Sequence, residues 1–197
     1  MRKITSDAIK NAVDMERKSL QLLYDNMDMA AYEKALELLL GSSLTVTTAC
    51  GSSGFAAKKF AHSLCCVDCP AKFIAPSEAV HGGLGALQKG NALVVVSKGG
   101  KTDELIPIID VAKQKGAHII AVTQKTDSYI ALNAEVVLEL PGIPESDRYG
   151  VMSTTSFAAN IAIFDSLMVG IMEEKDYKLE QFGLIHPGGA VGKAINK

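Results

Sequence analysis

The sequence has no tryptophan, and aromatic residues make up only 6% of its 197 positions. A core built on large rings is therefore excluded, and Ala, Val, Ile and Leu must fill it. No run of one charge occurs: 20 Lys and Arg face 22 Asp and Glu, for a net charge of −2. That balance disfavours nucleic acid or an anionic membrane surface as a partner. No apolar run approaches the roughly 20 residues of a membrane span. The first residues, MRKITSDAIKNAVDMERK, lack the apolar stretch of a secretory leader. A cytoplasmic protein with reduced thiols is expected. Cysteines are few: Cys50, Cys65, Cys66 and Cys69. Cys66-x-x-Cys69 lies near His62, but no second Cys/His pair stands at zinc-ribbon spacing, so small buried or helix-end cysteines are expected.

What is present is aliphatic: hydrophobic residues are 48% of the chain, enough for one domain with a sizeable core. The chain is organised around Asn91 to Glu104, NALVVVSKGGKTDE. Ala92 to Val96 reads as a buried strand. Ser97-Lys98-Gly99-Gly100-Lys101-Thr102 reads as a small-residue turn, and Asp103 and Glu104 open a helix. Such a turn makes an anion site: glycines let the backbone fold back, first-turn N–H groups lack partners, and the helix dipole favours negative charge. Lys98, Lys101, Ser97 and Thr102 add side-chain donors. A phosphate is the expected ligand, and Glu104 is the first candidate for chemistry. The plainer reading is an ordinary capped strand-to-helix turn.

The remaining elements alternate. Helices are expected from Thr5 to about Met27, with an apolar face of Ile9, Val13, Leu20, Leu23 and Tyr24, and from Met29 to Leu40, capped by Asp28 and ended by Gly41. These two helices, residues 1–41, carry apolar surface that suggests a partner, and residues 42–197 form the core of the same single domain. Leu44 to Cys50 is a strand, and Gly51-Ser52-Ser53-Gly54 turns it into a helix starting at Phe55. Further strands are expected at 72–75, 117–123 and 135–140, and further helices from Pro76, over 104–115, 128–133, 153–172 and 179–184. The 153–172 helix is apolar nearly all round and should be buried. HPGGAVGKAINK reads as a glycine-rich tail. Apolar strands alternating with helices predict an α/β fold: a three-layer α-β-α sandwich, doubly wound on a five-stranded parallel sheet. Ligands bind such sheets at the carboxyl ends of the strands, where both glycine turns fall.

Several motifs fail. A P-loop would need glycine at position 95, which is Val95. Gly51 to Gly54 lacks dinucleotide spacing, and there is no GxSxG turn. Of four scattered histidines, His118 begins a strand and reads as structural. His81, among glycines and three residues after Glu78, reads either as a ligand or base or as a helix-end cap. His186, before Pro187-Gly188-Gly189, suggests a titratable group delivered to a site; the plainer reading is a surface tail.

Assembled, residues 44–193 resemble the sugar isomerase (SIS) domain family, and most closely its arabinose-5-phosphate isomerases. CGSSGFAAKK is similar to the family's G-K-S-G-H-x-x-K-K. PSEAVHGGLGAL, SKGGKTDEL, STTSFAANIAIFDSL and QFGLIHPGGAVGK follow its other motifs in order. The resemblance implies an interconversion of aldose and ketose phosphates, with ribulose 5-phosphate and arabinose 5-phosphate the nearest pair, through an enediol. By position it implies Glu104 and Glu145 as carboxylates and His186 as acid/base. It implies phosphate held by the Gly51-to-Gly54 backbone, Ser53, Ser97 and Thr102, with Ser52, Lys98, Gly100, Lys101, Thr154 and Thr155 as further substrate-binding residues and His81 near the substrate or a bound metal. No cofactor is required; a divalent metal, zinc, is admitted near His81. A homodimer or homotetramer with its site at the subunit interface is implied. A buried carboxylate would have a raised pKa, suited to a base.

The departures are Ser52 for the family's lysine, Gly99 for a serine, Lys101 for a glutamate and Gly83 for an aspartate. The family's best-known members also carry a pair of CBS domains, absent from these 197 residues. The departures leave three alternatives open: an isomerase of another pentose, hexose or amino-sugar phosphate; a phosphosugar-binding protein without turnover; and a lyase or etherase on an amino-sugar phosphate.

Overall fold

The computed structural model describes residues 3–195. Five strands, β1 (Thr45–Thr48), β2 (Ala71–Phe73), β3 (Ala92–Val96), β4 (His118–Thr123) and β5 (Val136–Glu139), form one sheet in the order β2-β1-β3-β4-β5. Every pairing is parallel, with Thr45 opposite Ala71 and Ala92, and Ala92 opposite His118. The central strand β3 is buried along its whole length, as an aliphatic run covered on both faces must be.

Nine helices connect and cover the strands among the described residues: α1 (Lys3–Asp25), α2 (Met29–Leu40), α3 (Gly51–Cys65), α4 (Pro76–Ala79), α5 (Ile106–Lys115), α6 (Tyr129–Leu132), α7 (Thr155–Glu174), α8 (Leu179–Ile185) and α9 (Gly189–Ile195). One apolar layer joins α2, α3 and α7 to Val94, Val96, Ile120 and Val122. The opposite layer joins α5 and α6 to Val46, Leu93, Val95 and Ile119. Alternate residues of β3 thus face opposite layers, as the pleat requires. In the first layer Phe60 stacks on Phe164 at 4.3 Å between centroids, and Lys59 pairs with Asp165, tying α3 to α7.

The caps of α2 follow the expectation: Asp28 accepts hydrogen bonds from the N–H groups of Ala30 and Ala31, and Gly41 ends the helix. Strand ends differ from the expected ones by a residue or two. Two differences are larger, at α3 and the tail, while α7 and α1 follow the expectation of a buried helix and an apolar face open to a partner. α3 begins at Gly51, not Phe55, so the glycine turn is itself the first helical turn; Gly51, at φ +55°, makes the entry. The tail is not structureless: Gly189 to Ile195 is helical, and the last two tail residues lie outside the described ones. α7 is long and apolar enough to cross a membrane, but Ala159, Ile163, Phe164, Leu167 and Ile171 are buried in the first layer. On α1, Leu23 is buried, while Ile9, Val13, Leu20 and Tyr24 face outward, Val13 at 67% exposure and Tyr24 at 74%.

Candidate active site

The switch point of the sheet lies between β1 and β3, where the chain leaves toward opposite faces. Both glycine turns meet there. After β1, Cys50 stands at the N-cap of α3 and supplies no side-chain cap. The first-turn N–H groups of α3 are therefore left for an external acceptor. After β3, Ser97 is buried and its Oγ lies 2.8 Å from Thr102 Oγ1, closing the turn. The carbonyl of Lys98 accepts from Gln124 N at 3.0 Å and Thr123 Oγ1 at 3.2 Å, which fastens the turn to β4. Gly100 has φ +64°, and a Cβ there would lie 2.2 Å from the Ser128 side chain. Lys101 is exposed and Thr102 half-buried.

Two pockets flank the start of α3. One, about 600 Å³, is lined by Glu104 with Cys50, Gly51, Lys58 and Ser77. Burial first, and then the Glu104 charge, push the Cys50 thiol upward. The other, about 440 Å³, is lined by Ser52, Ser53, Lys98, Glu145, Ser153 and Ser156. Glu104 and Glu145 thus line different pockets, each of which includes residues of the first turn of α3.

Glu145 is buried and surrounded by donors. Its Oε1 accepts from Lys98 Nζ at 2.5 Å and from the Ser156 hydroxyl. Its Oε2 accepts from Thr154 N at 2.8 Å, Thr154 Oγ1 at 3.1 Å, Thr155 Oγ1 at 3.0 Å and Ser156 N at 3.3 Å. The carboxylate caps α7 from outside the helix. Burial pushes its pKa up, but the Lys98 and Ser156 side chains and the two backbone N–H groups outweigh it and hold it at about 2. This corrects the expectation of a raised value for a buried carboxylate. Thr154 and Thr155 spend their hydroxyls on Glu145, and Thr155 also donates to Pro144 O.

His186 lies at the other end of α3. Its ring stacks on Phe182, Nδ1 lies 3.0 Å from Phe182 O, and Nε2 lies 3.8 Å from Cys66 Sγ. Cys66 ends α3, and fifteen helical residues at 1.5 Å each put it about 22 Å from Gly51. His81 is exposed after α4, its N–H bonded to Glu78 O. Among the described residues no three His, Cys, Asp or Glu side chains gather to hold a metal, around His81 or elsewhere. His118 bonds Glu135 at the start of β4, a structural pairing. A Cβ at Gly83 would lie 2.7 Å from Glu78 O, so this backbone has no room for the aspartate of the family pattern.

Cys50, Lys58, Ser153 and Ser156 were missed as lining residues. Lys58 lies seven residues after Gly51 on α3, two turns along the same face, so helical spacing could have found it. The role of Ser156 has no such signal, because its partner Glu145 reaches it through an irregular loop.

The model of the SIS domain matches residues 41–170. The chain belongs to the SIS-domain family. It is 30% identical over 189 residues to an arabinose 5-phosphate isomerase, KpsF, of Escherichia coli, covering 95% of this chain and 60% of that protein. The chain therefore spans about 60% of the length of such curated relatives. A Listeria monocytogenes protein, provisionally named a sugar-phosphate isomerase, superposes with a TM-score of 0.91 at 39% identity, covering 95% of this chain and all of that one. The c3406 protein of E. coli CFT073, in complex with arabinose 5-phosphate, superposes with a TM-score of 0.86 at 25% identity, with the same coverages.

Proposed function

We propose that this SIS domain interconverts an aldose phosphate and a ketose phosphate, with arabinose 5-phosphate and ribulose 5-phosphate as the pair. One observation carries the reading: an uncapped helix N-terminus, the Ser97–Thr102 hydroxyl pair and a pocket-lining carboxylate converge at one switch point. The relatives support the choice of pair.

In this reading the first turn of α3, Ser53, Ser97 and Thr102 receive the phosphate, a permanent anion suited to unpaired N–H groups. Glu104 removes the proton from the carbon next to the carbonyl and returns it to its neighbour through an enediol. Glu145, ionised and saturated with donors, is not the base. His186 acts from a second copy, since its own chain holds it about 22 Å from the site. The exposed stripe Ile9, Val13, Leu20 and Tyr24 on α1 supports association of copies.

The test is a coupled assay with both pentose phosphates. Turnover is expected, and Glu104→Gln is expected to lower it at least about 10³-fold while leaving the fold intact. Phosphosugar-dependent thermal stabilisation without turnover of any pentose, hexose or amino-sugar phosphate would instead make the chain a binding protein.

A further inference from the structure

A third pocket, of about 480 Å³, lies between the turn that joins α1 to α2 and the exit of β5. It shares no lining residue with the two pockets at α3. β5 stands at the sheet edge, two strands from β3 and so about 10 Å from it at the usual strand spacing. The walls are aliphatic at Leu23, Met27, Leu138 and Leu140. The only charged lining residues are acidic: Asp28 and Glu139, both exposed, with no Lys, Arg or His. Among the described residues neither carboxylate pairs with a cation. Asp28 spends Oδ1 on the first turn of α2.

Tyr32 adds an unmet group. It lines this pocket, only 6% of its surface is exposed, and its hydroxyl has no hydrogen-bond partner. Among the described residues the one other such side-chain atom is Asn160 Oδ1, which does not line the pocket. Buried hydroxyls normally meet an acceptor, because withholding one from water is costly. Burial pushes the Tyr32 pKa up to about 12, so the group is a donor wherever the carboxylates are charged.

We propose that this pocket binds a small organic cation that carries an oxygen acceptor, an ammonium alcohol, with Tyr32 donating to the oxygen and Asp28 and Glu139 balancing the charge. This site stands apart from the isomerase reading and does not depend on it. A phosphosugar does not suit it, since two carboxylates with no cation repel a dianion. A simple amine would leave Tyr32 unmet, and a simple alcohol would leave the carboxylates uncompensated. One water could satisfy the hydroxyl but would use neither the carboxylates nor the aliphatic walls. The volume falls within the range of small-molecule sites.

The experiment is calorimetric titration and thermal unfolding of the full chain with three probes: leucinol, isoamylamine, which lacks its hydroxymethyl group, and isohexanol, which lacks its ammonium. Wild type, Tyr32→Phe and Glu139→Gln are compared. Leucinol is expected to bind wild type at least about fivefold more tightly than either other probe and to raise the thermal midpoint. Tyr32→Phe is expected to lower leucinol affinity at least about fivefold and to leave isoamylamine affinity unchanged. Its thermal midpoint without probe should not fall, since only an unpartnered hydroxyl is lost. Glu139→Gln is expected to weaken leucinol about threefold, less at high salt, and gives a second arm should Tyr32→Phe fail to fold. No leucinol binding by wild type would overturn the proposal, including the case in which a second copy covers the pocket. So would equal affinity for leucinol and isohexanol, or leucinol affinity unchanged in Tyr32→Phe. A Tyr32→Phe protein less stable than wild type without probe would mean a water-bonded hydroxyl and would overturn it as well. Turnover of pentose phosphates in both variants should match wild type, so failure here leaves the isomerase reading standing.

Discussion

Replacing Glu145 by glutamine tests whether this carboxylate is an anchor. The native side chain accepts on both oxygens, from Lys98 and Ser156 at Oε1 and from Thr154, Thr155 and Ser156 at Oε2. An amide has one acceptor oxygen, so its NH₂ must point either at Lys98 or at the backbone N–H groups that open α7. Lys98 also loses its counter-ion. Leaving buried donors facing a donor costs about 2–4 kcal/mol at pH 7. The effect has a pH signature. The folded-state pKa of Glu145 is held at about 2, against an ordinary 4.5. A depressed value contributes stability above the unfolded-state pKa and loses it as pH falls through the folded one. The contribution is at most about 3–4 kcal/mol, nearly full above roughly pH 5 and nearly gone at pH 2. Because Lys98 is partly exposed to water, the measured figure should fall below that limit. Urea unfolding of both proteins at pH 7, 4.5 and 3, followed by circular dichroism, should show Glu145→Gln destabilised at pH 7 and the gap closing as pH drops. A gap below about 0.5 kcal/mol at pH 7, or one that does not narrow in acid, would refute the anchor role.

Two further outcomes follow from the same geometry. Gly100→Ala should cost about 2–4 kcal/mol, because a Cβ at φ +64° would meet Ser128 at 2.2 Å, whereas Gly99→Ala faces open space and should change stability to urea by less than about 0.5 kcal/mol. Glu104→Gln and His186→Ala should each be inactive alone, yet after unfolding and refolding together as random dimers roughly a quarter of the sites should recover; no recovery would mean that His186 does not act across subunits.

The parts of the fold that were readable came from local chemistry. Asp28 announces α2 because a side-chain oxygen two residues ahead of free N–H groups is a local signal. Ala92 to Val96 reads as a buried strand because both its faces are covered. The Ser97–Thr102 turn and Glu104 were readable for the same reason. The misplaced start of α3 has a physical cause: Gly51, Ser52, Ser53 and Gly54 are poor helix formers, and only the packing of Ala56, Ala57 and Phe60 on the sheet makes them helical. Glu145 was named by resemblance, but its role was hidden. Its partners lie nine to eleven residues later and 47 residues earlier, across a loop with no periodicity. Burial alone suggested a raised pKa; the donors that reverse the sign appear only in three dimensions. His186 shows the same limit, since nothing near it in sequence places it beside Cys66.

The central claim is that Glu104 moves a proton between adjacent carbons of a phosphosugar. Proton NMR of arabinose 5-phosphate incubated with the protein in D₂O tests it most directly. Wild type is predicted to form ribulose 5-phosphate with solvent deuterium entering at the exchanging carbon, and Glu104→Gln to do neither while still showing phosphosugar-dependent stabilisation. Isomerisation and deuterium entry undiminished in Glu104→Gln would contradict the claim.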